Sequence, residues 1–118
     1  MRYLFSILML MLFSCRGGKK DSTTTADITH SKEYKEGLEL VANNKCLTCH
    51  AINETITGPP YSAIAKRYAN YSDTIVTHLA KKVISGGNGV WGEIFMTPHP
   101  NLSQEDAEKM VKYILLLK

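Results

Sequence analysis

The chain is poor in cysteine: three thiols in 118 residues, two of them in one short cluster. That is too few for a disulfide framework to hold the fold. Long hydrophobic runs are missing as well. The longest, Leu4 to Phe13, is about ten residues and falls short of the ~30 Å needed to span a bilayer. No segment alternates apolar and polar residues over the length of a strand, so the expected fold class is all-α, helices and loops only. Charge of one sign is lacking. The net charge is +3, and Arg2, Arg16, Lys19 and Lys20 against Asp21 and Asp27 account for +2 of it. The remainder is close to neutral, which excludes a nucleic-acid footprint and a strong single-sign docking field.

What is present begins at the N-terminus. Arg2 followed by the apolar run reads as an export signal over residues 1–14. Leu12-Phe13-Ser14-Cys15 resembles a bacterial lipobox, which implies cleavage after Ser14 and a lipid on Cys15. An ordinary signal with an incidental cysteine is the alternative. Residues 16–30 are rich in Gly, Lys, Ser and Thr without periodicity and read as a flexible linker, with Cys15 at its head. Residues 31–118 are left as one domain.

That domain is organised around Cys46-Leu47-Thr48-Cys49-His50. Two thiols flank two residues and a histidine follows at once, the spacing of c-type haem attachment. Two intervening residues let one helical turn present both sulfurs to the two vinyl groups, and His50 brings an imidazole under the iron. A redox dithiol would call for a βαβ surround, and a zinc site for two further ligands at workable spacing.

Helical periodicity fills most of the rest. Ser31 is a candidate N-cap for a helix to residue 45, with Tyr34, Leu38 and Val41 on one face. Gly37 inside it costs ~1 kcal/mol against alanine, a cost that a close helix crossing would justify. Residues 51–60 form a loop ending Gly58-Pro59-Pro60, and the Pro59 carbonyl is a rigid candidate acceptor for the second ring N–H of His50. Tyr61, Ile64, Ala65 and Tyr68 mark a short helix. Ser72 opens another, carrying Ile75, Val76, Leu79, Val83 and Ile84 and stopped by Gly86-Gly87. His78 on this helix reads as a solvated or rim histidine. Ser103 opens the last helix, with Ala107, Met110, Val111, Ile114 and Leu115 as its stripe.

Between the last two helices lies a Gly- and Pro-rich loop, residues 86–100, holding the only tryptophan, Trp91, and Met96. A thioether is a soft neutral donor suited to low-spin iron. Met1, Met9 and Met11 lie in the signal, and Met110 has apolar helical neighbours, so Met96 is the candidate distal ligand and His99 its rival. Trp91 carries an indole N–H for which a haem propionate is a ready acceptor, or else it fills the core.

Taken together, Cys46-Leu-Thr-Cys-His50, Gly58-Pro59-x-Tyr61, Gly89-Val-Trp91-Gly with Met96 five residues on, and the closing amphipathic helix resemble a class I cytochrome c. The small bacterial c-551/c-552 group is the nearest, and the resemblance covers residues 33–118. It implies about four helices around one covalent haem c, with the first and last helices crossing. It also implies thioethers at Cys46 and Cys49, axial ligands His50 and Met96, the Pro59 carbonyl accepting from His50, and Trp91 donating to a propionate. Lys82 matches a basic residue that often meets a propionate. In two places the chain departs from the group. Thr97-Pro98-His99 follows Met96 where the group often reads Pro-Pro and an amide, and the aromatic usual on the first helix is replaced by Val41 or Leu40. A looser crossing is expected from the second departure.

The function implied is one-electron transfer between respiratory-type protein partners by transient docking, without a small-molecule substrate and not as an enzyme. A lipid on Cys15 would hold the domain at a membrane on the periplasmic side. The alternatives are a haem-based ligand sensor or peroxidase-like protein with a labile distal site, and a haem subunit of a larger oxidase or reductase.

Overall fold

The computed structural model describes residues 25–118; the export signal and Cys15 lie outside the described residues. The described part holds five α-helices, one 3₁₀ turn and one β-hairpin. In chain order they are α1 (Thr25–His30), α2 (Lys32–Asn43), the 3₁₀ turn (Cys46–Thr48), α3 (Tyr61–Tyr68), α4 (Thr74–Ser85), β1 (Gly87–Gly89), β2 (Gly92–Met96) and α5 (Gln104–Leu116).

Helices α2 and α5 start where the sequence places them. The Ser31 hydroxyl accepts from the Tyr34 N–H at 3.1 Å, and the Ser103 hydroxyl accepts from the Asp106 N–H at 3.0 Å. Each satisfies one of the donors left open in a first turn. Helix α4 begins two residues after Ser72, whose hydroxyl pairs with that of Thr74 at 2.7 Å. The end of the segment read as linker is helical: α1 carries Asp27 in its first turn and His30 in its last, both favourable to the helix dipole.

α5 is the centre of the packing, with α2, α4 and α3 all against it. The core is Val41 from α2, Tyr61 from α3, Ala80 and Val83 from α4, and Ala107, Met110, Val111, Tyr113 and Ile114 from α5. Leu38, assigned to the buried stripe of α2, is exposed, and Leu40 packs on the core instead. The α2–α5 crossing is tight rather than loose. A Cβ on Gly37 would collide with the Tyr113 Cβ and lie 2.6 Å from the Lys109 carbonyl oxygen. The Tyr34 ring meets the Tyr113 ring edge-on, centroids 5.0 Å apart at 75°. The aromatic contact missing at Val41 is supplied two turns earlier by Tyr34, which lies on the same face.

Gly37→Ala is therefore expected to destabilise the protein by about 2 kcal/mol, because the Lys109 backbone cannot withdraw and overpacking outweighs the gain in helix propensity. Urea unfolding followed by far-UV circular dichroism checks it; an unchanged midpoint would mean that the crossing is loose.

The expectation of no strands is corrected by the hairpin. β1 and β2 pair antiparallel, Gly87 with Met96 and Gly89 with Gly92. Val90 and Trp91 form its two-residue turn, between Gly89 at φ 113° and Gly92 at φ 105°. Left-handed backbone on either side of the turn is available to glycine at little cost.

Burial also sets an alkaline limit. The Tyr113 phenol is pushed up to about 12, first by burial and then by Tyr34 beside it, and burial raises Tyr61 as well. A folded pKa above the ordinary 10.0 gives stability that is complete below about pH 10 and is lost as pH rises toward 12. The denaturant midpoint is expected to fall above about pH 10, and to fall less steeply in Tyr113→Phe; equal slopes in the two proteins would refute the assignment.

Candidate haem-binding site

The motif leaves α2 through Lys45, which takes a left-handed conformation, φ 58° and ψ 24°. The chain then makes one tight turn. The Cys49 and His50 N–H groups both bond to the Cys46 carbonyl, at 3.2 and 3.0 Å. Cys46, Cys49 and His50 thus follow one another at helical spacing around a single turn. Both cysteines are free thiols; Cys46 is half-buried against the core and Cys49 is exposed. Burial pushes the Cys46 thiol up.

His50 is fixed by the loop that follows. Its Nδ1–H donates to the Pro59 carbonyl at 2.7 Å, which leaves Nε2 as the nitrogen with a free lone pair. Gly58 lies flat on the imidazole: a Cβ there would sit 2.9 Å from Nδ1 and 3.0 Å from Nε2. The loop is tied back by the Gly58 N–H to the Cys49 carbonyl at 2.7 Å and the Tyr61 N–H to the Ala51 carbonyl at 2.9 Å. Two free thiols, an imidazole oriented through its far nitrogen and a glycine that clears that ring fit a covalently attached haem. A zinc reading lacks support, since no cluster of three or more His, Cys, Asp or Glu able to hold a metal exists among the described residues.

Met96 ends β2 and packs half-buried against the core. Two contacts fix it to the end of α4. The Met96 carbonyl lies where a Cβ on Gly86 would be, and the His99 N–H bonds to the carbonyls of Val83 and Ile84 at 3.2 and 3.1 Å. His99 contributes its backbone to this clamp, and its side chain is half-buried. His78 is exposed and lines an open cleft of about 510 Å³ with Tyr71, Thr74 and Ile75; neither Cys46 nor His50 lines it.

Trp91, at the hairpin turn, is 42% exposed and is not a core filler. The Arg67 guanidinium sits over its ring, 5.0 Å from the centroid, a cation–π contact joining α3 to the hairpin. The Lys82 Nζ lies 3.5 Å from where a Gly87 Cβ would be, at the foot of the hairpin. Sequence reasoning missed Arg67 and the contacts of Tyr61. Tyr61 is 2% exposed, and its ring stacks on His50 with centroids 5.2 Å apart. The one signal available was the place of Tyr61 directly after the Gly-Pro-Pro loop.

Comparison with known proteins agrees with this geometry. The family model described as Cytochrome c matches residues 34–118. Cytochrome c-552 of Nitrosomonas europaea is 40% identical over 80 residues, covering 68% of this chain and 77% of the relative. Cytochrome c-552 of Hydrogenobacter thermophilus is 36% identical over 93 residues, covering 79% and 88%. Cytochrome c-551 of Azotobacter vinelandii is 35% identical over 82 residues, covering 70% and 98%. The crystal structure of wild-type Nitrosomonas europaea cytochrome c552 superposes with a TM-score of 0.64 at 40% identity, over 69% of this chain and 99% of that one. The chain belongs to the class I cytochrome c family, close to the c-551/c-552 group, and is an electron carrier with one covalently bound haem c rather than an enzyme.

Proposed function

We propose that Cys46 and Cys49 carry the haem through thioethers, that His50 and Met96 are its axial ligands, and that Trp91 and Lys82 meet the propionates. The observation that carries this reading is the His50–Pro59 bond at 2.7 Å, which commits Nδ1 to the carbonyl and leaves Nε2 for iron. Cys46 and Cys49, both free thiols, would hold the haem by addition to its two vinyl groups, which needs no leaving group because the thiol proton goes to the second vinyl carbon. The bound haem supplies a one-electron couple. The chain does the rest: His50 is held in one tautomer and orientation, and the backbone clamp on the Met96 segment would keep its thioether available to the iron in both oxidation states. Fixed ligands keep the rearrangement on electron transfer small, and a Met ligand raises the potential. A filled sixth position also weighs against the sensor and peroxidase readings.

Partners are redox proteins docking transiently, as weak electron-transfer complexes do. The N-terminal sequence supports export, with Cys15 lipidated and residues 16–30 as a tether that raises effective concentration near membrane partners. Among the described residues no helix is long and apolar enough to cross a membrane. Cys15→Ser is expected to move the protein from the membrane fraction to the soluble exported fraction and to abolish fatty-acid labelling; equal membrane retention would end the anchor reading.

The test of the site is the visible spectrum of the exported protein. Sharp low-spin reduced bands, together with the weak far-red band of methionine bound to ferric iron, are expected. A high-spin spectrum, or a low-spin one without that band, would remove Met96 from the iron.

A further inference from the structure

The hairpin is fastened at its foot to the end of α4 and braced along its length, where the Asn88 amide donates to the Glu93 carbonyl at 3.2 Å. Its turn lies between Gly89 and Gly92, both at positive φ, and carries the exposed Trp91. What meets that indole ring is a cation. The Arg67 guanidinium, from α3, lies 5.0 Å from the Trp91 centroid and 6.0 Å from the centroid of Tyr68. Tyr68 is buried and is itself met edge-on by Tyr71, centroids 5.1 Å apart. Among the described residues no carboxylate pairs with Arg67, and no protein oxygen accepts the indole N–H of Trp91. An exposed arginine on a helix is ordinarily solvated or paired with an acid. This one rests an uncompensated charge on an aromatic face, where a flat guanidinium stacks and a lysine ammonium does not.

We propose that Arg67 is a positioning residue of the haem site: stacked on Trp91, it fixes the indole so that the N–H is presented to a haem propionate, and it thereby biases the carrier toward the reduced state. The need for a clamp follows from the turn. Glycine on either side gives the tip of the hairpin little backbone stiffness of its own, and an unclamped indole would spend its N–H on water in several rotamers. Arg67 comes from α3, which packs on α5, so it ties the ring to the helical frame. A donor held on a carboxylate draws off part of its negative charge, and less negative charge beside the iron favours the ferrous form. The guanidinium stays charged at every working pH, so the clamp itself does not titrate.

This deepens the reading given above and rests on Trp91 meeting a propionate. Trp91→Phe in the holoprotein, poised against a mediator of fixed potential, tests that part by itself. Its ferrous-to-ferric ratio is expected to fall, and a ratio that does not move ends the role of Trp91 and the proposal with it. The test of Arg67 is a double-mutant cycle on the same protein. Arg67→Gln, its folding checked by far-UV circular dichroism, is expected to lower the ratio by about threefold. In the Trp91→Phe background, where the ring has no N–H to present, the same substitution is expected to change nothing. A fall in Trp91→Phe with none in Arg67→Gln overturns the proposal and leaves the reading of Trp91 standing. An equal fall in both backgrounds makes Arg67 a bare surface charge and overturns it too. Proton NMR of the reduced protein gives a second readout. Trp91 is the only tryptophan, so its indole N–H is a single signal. Slow exchange with solvent is expected in the wild type and faster exchange in Arg67→Gln; equal rates refute the clamp. Should Arg67→Gln fail to accumulate, Arg67→Lys, which keeps the charge and gives up the planar stack, takes its place with the same expected directions and the same refutations.

Discussion

Met96→Ala is expected to abolish the far-red band of the ferric protein and to let the ferrous protein bind carbon monoxide fully, where the wild type resists it. Its reduction potential is expected to fall by at least about 120 mV, two decades in the electron-transfer equilibrium at about 59 mV per decade. The size follows from position. Met110 is 1% exposed inside the core on α5, and the remaining methionines lie outside the described residues. Only Met96 ends a hairpin strand that is fastened, through Gly86 and the His99 N–H, to the end of α4. Alanine keeps those backbone bonds and removes the side chain beyond Cβ, thioether included, so the loop stays fastened to α4 while the proposed ligand is lost. His99 is the rival, and the same sample tests it. If the wild type lacks the far-red band and His99→Ala changes its spectrum, the histidine is the ligand. If Met96→Ala leaves the spectrum unaltered, Met96 is not.

Most of the helical frame was legible because α2 to α5 each carry a 3.6-residue stripe and α2 and α5 a capping serine, whereas α1, inside the segment read as linker, carries neither. Ser31 and Ser103 cap as their positions imply, and Ala107, Met110, Val111 and Ile114 are buried as a set. Gly37 was legible as a crossing point because a glycine within a helical stripe needs a reason. Its partner was not. Tyr113 sits beside the stripe of α5 and becomes core only because α2 crosses there, a fact of tertiary packing. The hairpin was hidden by composition. Gly86-Gly-Asn-Gly reads as loop, and the pairing depends on positive φ at Gly89 and Gly92 rather than on an alternating pattern. At the site, the Cys46–His50 motif and the Pro59 acceptor follow from fixed spacing along the chain, and the His50–Pro59 pair lies at 2.7 Å. Arg67 over Trp91 and Tyr61 on His50 join segments that no local rule connects.

The second large effect concerns attachment. In the double variant Cys46→Ala/Cys49→Ala the haem is expected to extract completely into acidified organic solvent, whereas the wild type keeps all of it after denaturation. Cys46→Ala alone is expected to retain haem through one thioether, at lower yield. The difference has a physical cause. With the proposed ligation, axial bonds from His50 and Met96 would depend on the fold, because the Pro59 carbonyl holds the His50 ring and the α4 clamp holds the Met96 backbone. When the chain unfolds, those ligands disperse. A covalent link does not disperse: it keeps the haem at an effective concentration in the millimolar range beside its own ligands. Cys46 and Cys49 differ in one respect that the single variants expose. Cys46 is half-buried and anchored to the core near Tyr61, while Cys49 is exposed at the end of the turn. Loss of Cys46 therefore removes both a bond and a packed side chain, and Cys46→Ala is expected to lower holoprotein yield more than Cys49→Ala. Intact-mass analysis of denatured samples reads all three variants. Haem still bound to the denatured double variant would place the attachment elsewhere on the chain.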